Sequence, residues 1–311
     1  MTVFGIRPDG TRISLGAPVS LLFSREREAP ADLLQVRFQT DAALPKLSEL
    51  EVLDGTRVWF RGLIDEQNTS LNSSGLQVEL VCRSLEAILL DNEALPEPLQ
   101  RPTLQVIEAR LLAPFGLKLN AAETGKRLGP LFVEKGESCW AVLARFCKTE
   151  FGARLRVSED GVVRFDAGTP REWTLRGVLS AQLCTLPCKE IREVIKQSCR
   201  GGYDTHYRGA GYSSCRPGTP RRRYVSMQGG KNPREVLESG QADSFLLTVT
   251  CKGAWLPEKG DTASVSLPGL GTYRGCPVRS VRYRLDRSGE ETRLVLERPQ
   301  KEEDNVVDKT V

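Results

Sequence analysis

The sequence predicts a mainly β fold with an α+β insert, and three observations lead to this class. Apolar and polar residues alternate over much of 1–83 and again over about 245–296, as expected for strands with one buried face. Between these regions, apolar residues recur at helical spacing. The two β-rich regions also repeat one hairpin pattern. We therefore expect two antiparallel β-barrels and a small α+β domain, because curled antiparallel sheets close into barrels.

Residues 1–93 are predicted to form the first barrel. Alternation between apolar and polar residues is clearest over 58–64 and 76–82. The pairs Asp54-Gly55 and Ser74-Gly75 provide the positive φ angles that tight strand connections require.

An inserted α+β domain is predicted over 94–168. Prolines at 96, 98 and 102 interrupt regular structure and mark its beginning. Thr103 and Ser138 can each cap a helix, since a side-chain hydroxyl accepts a hydrogen bond from a free backbone N–H of the first turn. A hairpin with its turn at Asp160-Gly161 completes this domain.

Residues 170–199 return to an extended pattern. The sequence leaves open whether they complete the first barrel or begin the second. A short helix from about Pro233 leads into the second barrel, which is predicted over 235–299. The last residues, 300–311, form a polar and charged tail that we expect to be mobile.

The segment 200–234 is predicted to be a long basic loop, because it is rich in Gly, Ser and Pro. It contains eight Lys and Arg residues and one acid, a net charge of +7 in a chain whose total is +4. Its cluster Arg221, Arg222, Arg223 and Tyr224 is the best candidate for contact with a partner. Such a cluster suits an acidic protein surface or a solvated loop equally well, and nucleic acid less well, because one short basic run gives a limited electrostatic footprint.

The two β-rich regions share a repeat. Trp59–Gly62 is followed by the turn glycine Gly75, and Tyr273–Gly275 by Gly289. The two glycines are 13 residues apart in the first copy and 14 in the second. We expect Gly62 and Gly275 to let the sheet bend, and Gly75 and Gly289 to form the hairpin turns.

Composition excludes several classes of protein. The chain of 311 residues has no apolar run of the length of a membrane-spanning helix and no pattern of a signal peptide, so a cytosolic protein without a membrane partner is expected. Its nine cysteines are an odd number without a Cys-x-x-Cys pair. We expect reduced thiols, packed as small apolar groups, rather than a disulfide framework.

Catalytic and metal-binding patterns are weak, and no enzyme activity or cofactor is expected. His206 is the one histidine, which leaves few ways to build a Ser-His-Asp triad or a multi-histidine metal site, and a structural or exposed role is favoured. Cys184 and Cys188 alone have zinc-ligand spacing, with Cys199 and Cys215 further along, so buried thiols are the preferred interpretation. The adjacent acids Asp65 and Glu66 would point to opposite faces of a strand.

The order of these patterns resembles that of baseplate hub proteins of contractile phage tails and phage-tail-like bacteriocins, the late control protein D type of hub. The resemblance lies in Val58–Pro96, Ser138–Gly152, Asp160–Phe165 and Pro257–Pro299. It covers most of the chain apart from 200–234 and the tail, and it rests on strand and turn patterns rather than on a catalytic signature.

The resemblance implies a structural, non-enzymatic protein. Hubs of this kind are homotrimers whose two barrels resemble tail-tube subunits, so three chains present a pseudo-sixfold ring. The implied function is to join a trimeric tail spike protein to the hexameric tail tube protein, with tape-measure and baseplate wedge proteins as further partners. The implied location is the bacterial host cytoplasm during assembly, and then the baseplate of a phage tail or tail-like particle.

Two other functions are weighed against this one. A nucleic-acid-binding module would use the basic segment 200–234. A cell-wall-degrading tail hydrolase would need an acid/base constellation that the sequence does not display.

Overall fold

Antiparallel strands dominate both of the units into which the chain divides. The computed structural model describes residues 1–73, 75–120, 128–165, 169–186, 190–209, 212, 221–227, 232–298 and 306–309. The first unit comprises Met1–Thr169 and Arg282–Glu290, and the second comprises Pro170–Val281 and Glu291–Val311. The predicted mainly β class is confirmed.

The first unit is built on one antiparallel sheet. Its strands are β1 (Thr2–Ile6), β2 (Arg12–Gly16), β3 (Ser20–Glu26), β4 (Leu33–Thr40), β5 (Glu49–Asp54), β6 (Arg57–Asn72) and β7 (Gly75–Ser84). They lie in the order β3-β4-β7-β6-β5-β1-β2. Among the described residues these pairings form an open path rather than a closed ring. Alternate residues of β4, such as Leu34 and Val36, are fully buried, which is why the two-residue period predicted these strands.

Helices and short strands follow β7 and form a separate hydrophobic core between Leu89 and Phe165. The elements are α1 (Glu86–Asp91), β8 (Pro98–Leu99), α2 (Leu104–Leu111), β9 (Lys118–Leu119), β10 (Leu131–Phe132), α3 (Cys139–Phe151), β11 (Arg156–Val157) and β12 (Val162–Arg164). Both predicted caps are confirmed. Thr103 accepts a hydrogen bond from the backbone N–H of Val106, and Ser138 accepts one from Ala141.

The helices of the described residues are short. The longest, α3, has 13 residues, and none is long and apolar enough to cross a membrane.

The second unit contains the remaining elements. These are β13 (Glu172–Thr174), β14 (Val178–Thr185), β15 (Ile191–Gln197), β16 (Tyr203–Arg208), β17 (Arg221–Val225), α4 (Pro233–Ala242), β18 (Phe245–Lys252), β19 (Thr262–Leu267), β20 (Gly271–Asp286), β21 (Gly289–Glu297) and β22 (Val306–Lys309). One sheet has the order β14-β18-β21-β20, with β19 between β20 and β13. A second sheet has the order β17-β15-β16-β22.

The structure assigns residues 170–199, which the sequence left open. Strand β14 pairs with β18, and β13 pairs with β19, so both strands belong to the sheet of the second unit and do not complete that of the first.

The prediction of a long loop over 200–234 is wrong for part of the segment. Strands β16 and β17 lie within it and pair with opposite edges of β15. Aromatic and β-branched residues such as Tyr203, Thr205 and Tyr207 favour a strand, and the nearby glycines and prolines obscured this pattern. In the tail, Val306–Lys309 forms strand β22, which pairs with β16.

The sequence repeat has a structural counterpart. In both copies a strand of six residues precedes a strand of 16 residues and then the returning strand of the hairpin, β5-β6-β7 in the first copy and β19-β20-β21 in the second. Ile64 donates its backbone N–H to Ser48, and Val278 donates its N–H to Asp261, each 11 residues before the turn glycine. The predicted turn glycines are confirmed, with φ of +102° at Gly75 and +117° at Gly289. Ser74 lies outside the described residues.

Gly62 and Gly275 are glycine for different reasons, although the sequence pattern predicts the same role for both. At Gly62, an added Cβ would lie 2.2 Å from the carbonyl oxygen of Arg83, so the close approach of β7 requires glycine. At Gly275 the space is open, but φ is +58°, a left-handed conformation that glycine adopts most readily. This second position lies in a β-bulge opposite Ser264, whose hydroxyl accepts the Gly275 N–H.

Most described cysteines are packed as expected. Those at 82, 139, 147, 251 and 276 are free and buried, and burial raises the pKa of the Cys251 and Cys276 thiols to about 11. Cys184 and Cys199 are also free but exposed, so the packing prediction is wrong for these two.

We predict that Gly62→Ala destabilises the protein. The new Cβ would collide with the Arg83 backbone, and overpacking of this kind costs roughly 1–3 kcal/mol. Scanning calorimetry should therefore show a lower unfolding temperature. The control is Gly202→Ala, where the nearest atom to the added Cβ is 3.8 Å away. Equal effects of the two substitutions would contradict the assigned role of Gly62.

Candidate partner-binding surface

The predicted basic cluster lies on β17, at one end of the strand order of its sheet. Strand β17 runs parallel to β15, and Val225 packs with Val194 and with Leu237 of α4 in a small core. Since side chains alternate across a sheet, the residues next to Val194 and Val225 point away from this core. The register places Glu193 beside Arg222 on one side and Arg208 on the other.

Glu193 is the centre of a buried ion cluster. Its side chain is 1% exposed, yet it contacts three basic residues. His206 donates from Nδ1 to Oε1 at 2.9 Å, Arg208 donates from Nε to the same oxygen at 3.4 Å, and Arg222 donates from Nε to Oε2. This contact gives the one histidine a structural role, in agreement with the sequence-based interpretation.

Two opposing effects set the pKa of Glu193. Burial by itself favours the neutral acid and raises the pKa. The hydrogen bonds from His206 and Arg222 favour the carboxylate and outweigh burial, so the pKa lies below its ordinary value. The pKa of the Arg222 guanidinium is raised by Tyr212 and by Glu193. Glu193 is therefore ionised, and it holds three strands of the sheet together by charge.

Two other members of the cluster, Arg223 and Tyr224, are available to solvent. Arg223 is exposed and bonds the carbonyl oxygen of Arg222, while Tyr224 is 62% exposed. The ring of Tyr224 meets that of Tyr203 edge to face, with centroids 5.4 Å apart. We refer to Arg221–Tyr224 together with Tyr203 as the β17 edge. Its exposed cationic and aromatic groups suit contact with an acidic partner.

The structure separates the roles of the predicted residues. Arg222, although its side chain is 48% exposed, bonds the buried carboxylate of Glu193, whereas Arg223 and Tyr224 face solvent. Sequence reasoning missed Glu193, because the basic residues that contact its carboxylate lie 13 to 29 residues further along the chain. The one available hint was an acid placed between the apolar residues of β15.

The described residues contain no cluster of three His, Cys, Asp or Glu side chains suited to a metal ion. Cys188 and Cys215, and with them the four-cysteine arrangement, lie outside the described residues.

Comparison with known proteins identifies the fold. Neither protein-family models nor curated proteins match this sequence. Among solved structures, the chain is similar to a tail protein from Neisseria meningitidis MC58, with a TM-score of 0.70 and 18% identity over 96% of this chain and 97% of that chain. It is also similar to the 43 kDa tail protein of prophage MuSo2 from Shewanella oneidensis, with a TM-score of 0.72 and 17% identity over 96% of this chain and 98% of that one.

A third similar structure comes from a secretion system. It is the E. coli c3393 protein, a component of the type VI secretion system described as similar to the T4 tail proteins gp27 and gp5. The TM-score is 0.55 and the identity 12%, over 94% of this chain and 76% of that chain. The chain therefore has the fold of phage tail proteins along almost its whole length.

We predict that Glu193→Gln destabilises the protein in a pH-dependent way. Loss of the charge removes the counter-ion of Arg208 and Arg222, at a cost of about 1.5 kcal/mol near neutral pH, because both guanidinium groups are partly solvated. Because the folded-state pKa of Glu193 is lowered, its contribution is complete above the unfolded-state pKa and is lost as pH falls through the folded value.

Urea unfolding between pH 3 and pH 7 should therefore show a lower free energy of unfolding for the variant than for the unmodified protein. This difference in free energy should be constant above about pH 5 and shrink below about pH 4. Glu258→Gln, which neutralises an exposed carboxylate of the same unit, is the control. A difference for Glu193→Gln that does not vary with pH would exclude the ionised cluster.

Proposed function

We propose that this chain is a structural component of a phage tail or a related injection particle, and that it acts as the baseplate hub. The observation that carries the proposal is the likeness to tail proteins along almost the whole chain, together with the repeated hairpin element. A fold by itself does not fix a function, so the proposal rests on the extent of this match together with the repeat.

The repeat gives the hub a physical task. A chain with two similar hairpin elements can present six similar units when three copies assemble, while the assembly as a whole keeps threefold symmetry. Such a ring can stack on a hexameric tail tube at one face and hold a trimeric spike at the other. We propose a homotrimer that adapts these two symmetries in this way.

Further partners follow from the same position in a particle. Tail tube and spike proteins are the proposed main partners, with tape-measure and baseplate wedge proteins as additional ones. The β17 edge is proposed as a site for an acidic surface of one of them, because Arg223 and Tyr224 are exposed there. The proposed location is the host cytoplasm during assembly and then the baseplate of the finished particle.

We propose a non-enzymatic role. A cluster of titratable groups among the described residues surrounds Glu193, whose side chain is 1% exposed, contacts His206 and forms ion pairs with Arg208 and Arg222. A carboxylate held in this way supports the sheet and does not reach a substrate.

The assembly state tests the hub function. We expect native mass spectrometry of the full chain to show a homotrimer, and electron microscopy of the isolated complex to show a ring with six similar lobes. A chain that stays monomeric at high micromolar concentration, alone and with its tail tube and spike proteins, would contradict the proposal.

The partner class of the β17 edge is tested with two probes, a 15-residue poly-glutamate peptide and a 15-nucleotide single-stranded DNA. We expect Arg223→Glu with Tyr224→Ala to weaken peptide binding at least fivefold, because the change reverses one exposed charge and removes an aromatic contact. Arg274→Glu, an equal charge change at an exposed position elsewhere in the second unit, is the control.

Fluorescence anisotropy at several salt concentrations provides the measurement. DNA binding that is tighter than peptide binding, and that falls steeply with salt, would favour the nucleic-acid module instead.

A further inference from the structure

Among the strand edges that lack a neighbouring strand in the described part of the chain, two lie on β14 and β6. Strand β14 pairs with β18 on one side and stands at the end of its strand order. Strand β5 pairs with β6 only as far as Leu63, so the distal part of β6, Asn68–Leu71, pairs with β7 alone. Backbone N–H and C=O groups along such edges are ready to pair with another chain.

These two edges occupy defined positions in the repeat. The first unit has the strand order β3-β4-β7-β6-β5, and the second has the order β14-β18-β21-β20-β19. Strand β14 is therefore the counterpart of β3, and β6 is the counterpart of β20. The equivalent hydrogen bonds of Ile64 and Val278 show that the two hairpins agree in register with respect to their turns.

The counterparts of these two edges, on β3 and β20, already have a neighbouring strand. The distal residues Arg282–Glu290 of the β20–β21 hairpin belong to the first unit, where β20 is the neighbour of β3. Within that unit, Tyr283 is fully buried, and its ring meets that of Trp59 edge to face at 6.4 Å. The distal part of the second hairpin thus packs beside β3.

The same part of the first hairpin has no such cover. Thr69 lies six residues before Gly75, as Tyr283 lies six residues before Gly289, yet Thr69 is exposed. Leu71 is 79% exposed, whereas its counterpart Leu285 is half-buried. Leu71 is thus an apolar side chain in solvent on the part of β6 whose one edge has no neighbouring strand among the described residues.

The chemistry of β14 agrees with a missing neighbour. Its eight residues include no charge and no proline, the groups that usually protect an edge strand from pairing. Leu179 is 59% exposed, and Cys184 is exposed as well. Its counterpart β3 buries Leu21 and Phe23 almost completely.

We propose that the free edge of β14 pairs with the distal part of β6, Asn68–Leu71, from a second copy of this chain. Inside the first unit, the β20–β21 hairpin lies beside β3. The proposed contact between β14 and β6 repeats this arrangement between two copies of the chain. Because donor and acceptor are different surfaces, the contact is head-to-tail, and three such joints close a ring of three chains. This inference rests on the proposed trimeric hub and identifies the surfaces that form it.

Cysteine cross-linking tests the joint directly. In full-length protein carrying serine at 188, 199 and 215, cysteine is placed at Thr69, Ser70 or Leu71, so that it can react with the native Cys184 of another copy. The scan is repeated with Ser180→Cys or Gln182→Cys in place of Cys184, to cover other registers along β14. A disulfide needs Cβ atoms about 3.5–4.5 Å apart.

After mild oxidation we expect covalent dimers and trimers on a non-reducing gel. The efficiency should alternate along the hairpin, because successive strand residues face opposite sides. Replacement of every β14 cysteine by serine should abolish the bands. If no pair reacts while native mass spectrometry still shows trimers, the edge pairing is wrong and the hub function stands; if the chain is monomeric, both fail.

Charge at the edge provides a second measurement. Leu179→Lys and Leu71→Lys each place a cation in the proposed joint, and either should raise the concentration at which trimers dissociate at least tenfold. Leu95→Lys is the matched control, because Leu95 is 63% exposed and lies outside both edges. Equal effects of the three substitutions, or none in any, would overturn the proposal.

Discussion

The need to pair backbone polar groups along strand edges is the constraint on which the rest of this structure depends. Both hairpins contain a strand of 16 residues that extends well beyond the short strand next to it. Every second residue of such an extension directs its N–H and C=O to the open side, and these groups require water or another strand as partner. The distal part of β20 meets this requirement in the first unit, beside β3. The β6–β7 hairpin and β14 occupy the same positions in the repeat as the β20–β21 hairpin and β3. They can therefore form the same arrangement between two copies of the chain, and this links the duplicated sequence to assembly.

The buried carboxylate of Glu193 plays a comparable role in the smaller sheet. The apolar core shared with α4 is small, and strands β16 and β17 reach β15 from opposite sides. One acid between Arg208 and Arg222 links all three strands through charge-assisted hydrogen bonds, which are stronger than neutral ones. Arg222 forms this pair although its side chain is 48% exposed, and Arg223 and Tyr224 lie beside it at the surface. Stability and recognition thus draw on different members of one basic run.

The duplicated hairpins show how the same backbone shape arises from different local chemistry. Gly62 is required because the neighbouring strand approaches too closely for a Cβ, whereas Gly275 adopts a left-handed conformation in a bulge. Counted from the equivalent hydrogen bonds of Ile64 and Val278, Gly62 corresponds to Cys276, so Gly275 stands one position earlier and its spacing to the turn glycine is one residue longer. The backbone geometry decides which residue type is allowed at such positions. Two copies of a repeat can therefore have the same structure although their sequence patterns agree only weakly.

The sequence by itself determined the mainly β class, both helix caps, the hairpin turns at Gly75 and Gly289, and the existence of the repeat. These features depend on residues close together in the chain, whose preferences act locally. It did not determine the strands within 200–234, the place of 170–199 in the second unit, or the cluster around Glu193. Each of these depends on residues that meet only after the strands have paired, such as Glu193 with His206 and Arg222, and local preference carries no information about such contacts. Only the tertiary structure decides them, because register brings distant residues to the same face of a sheet.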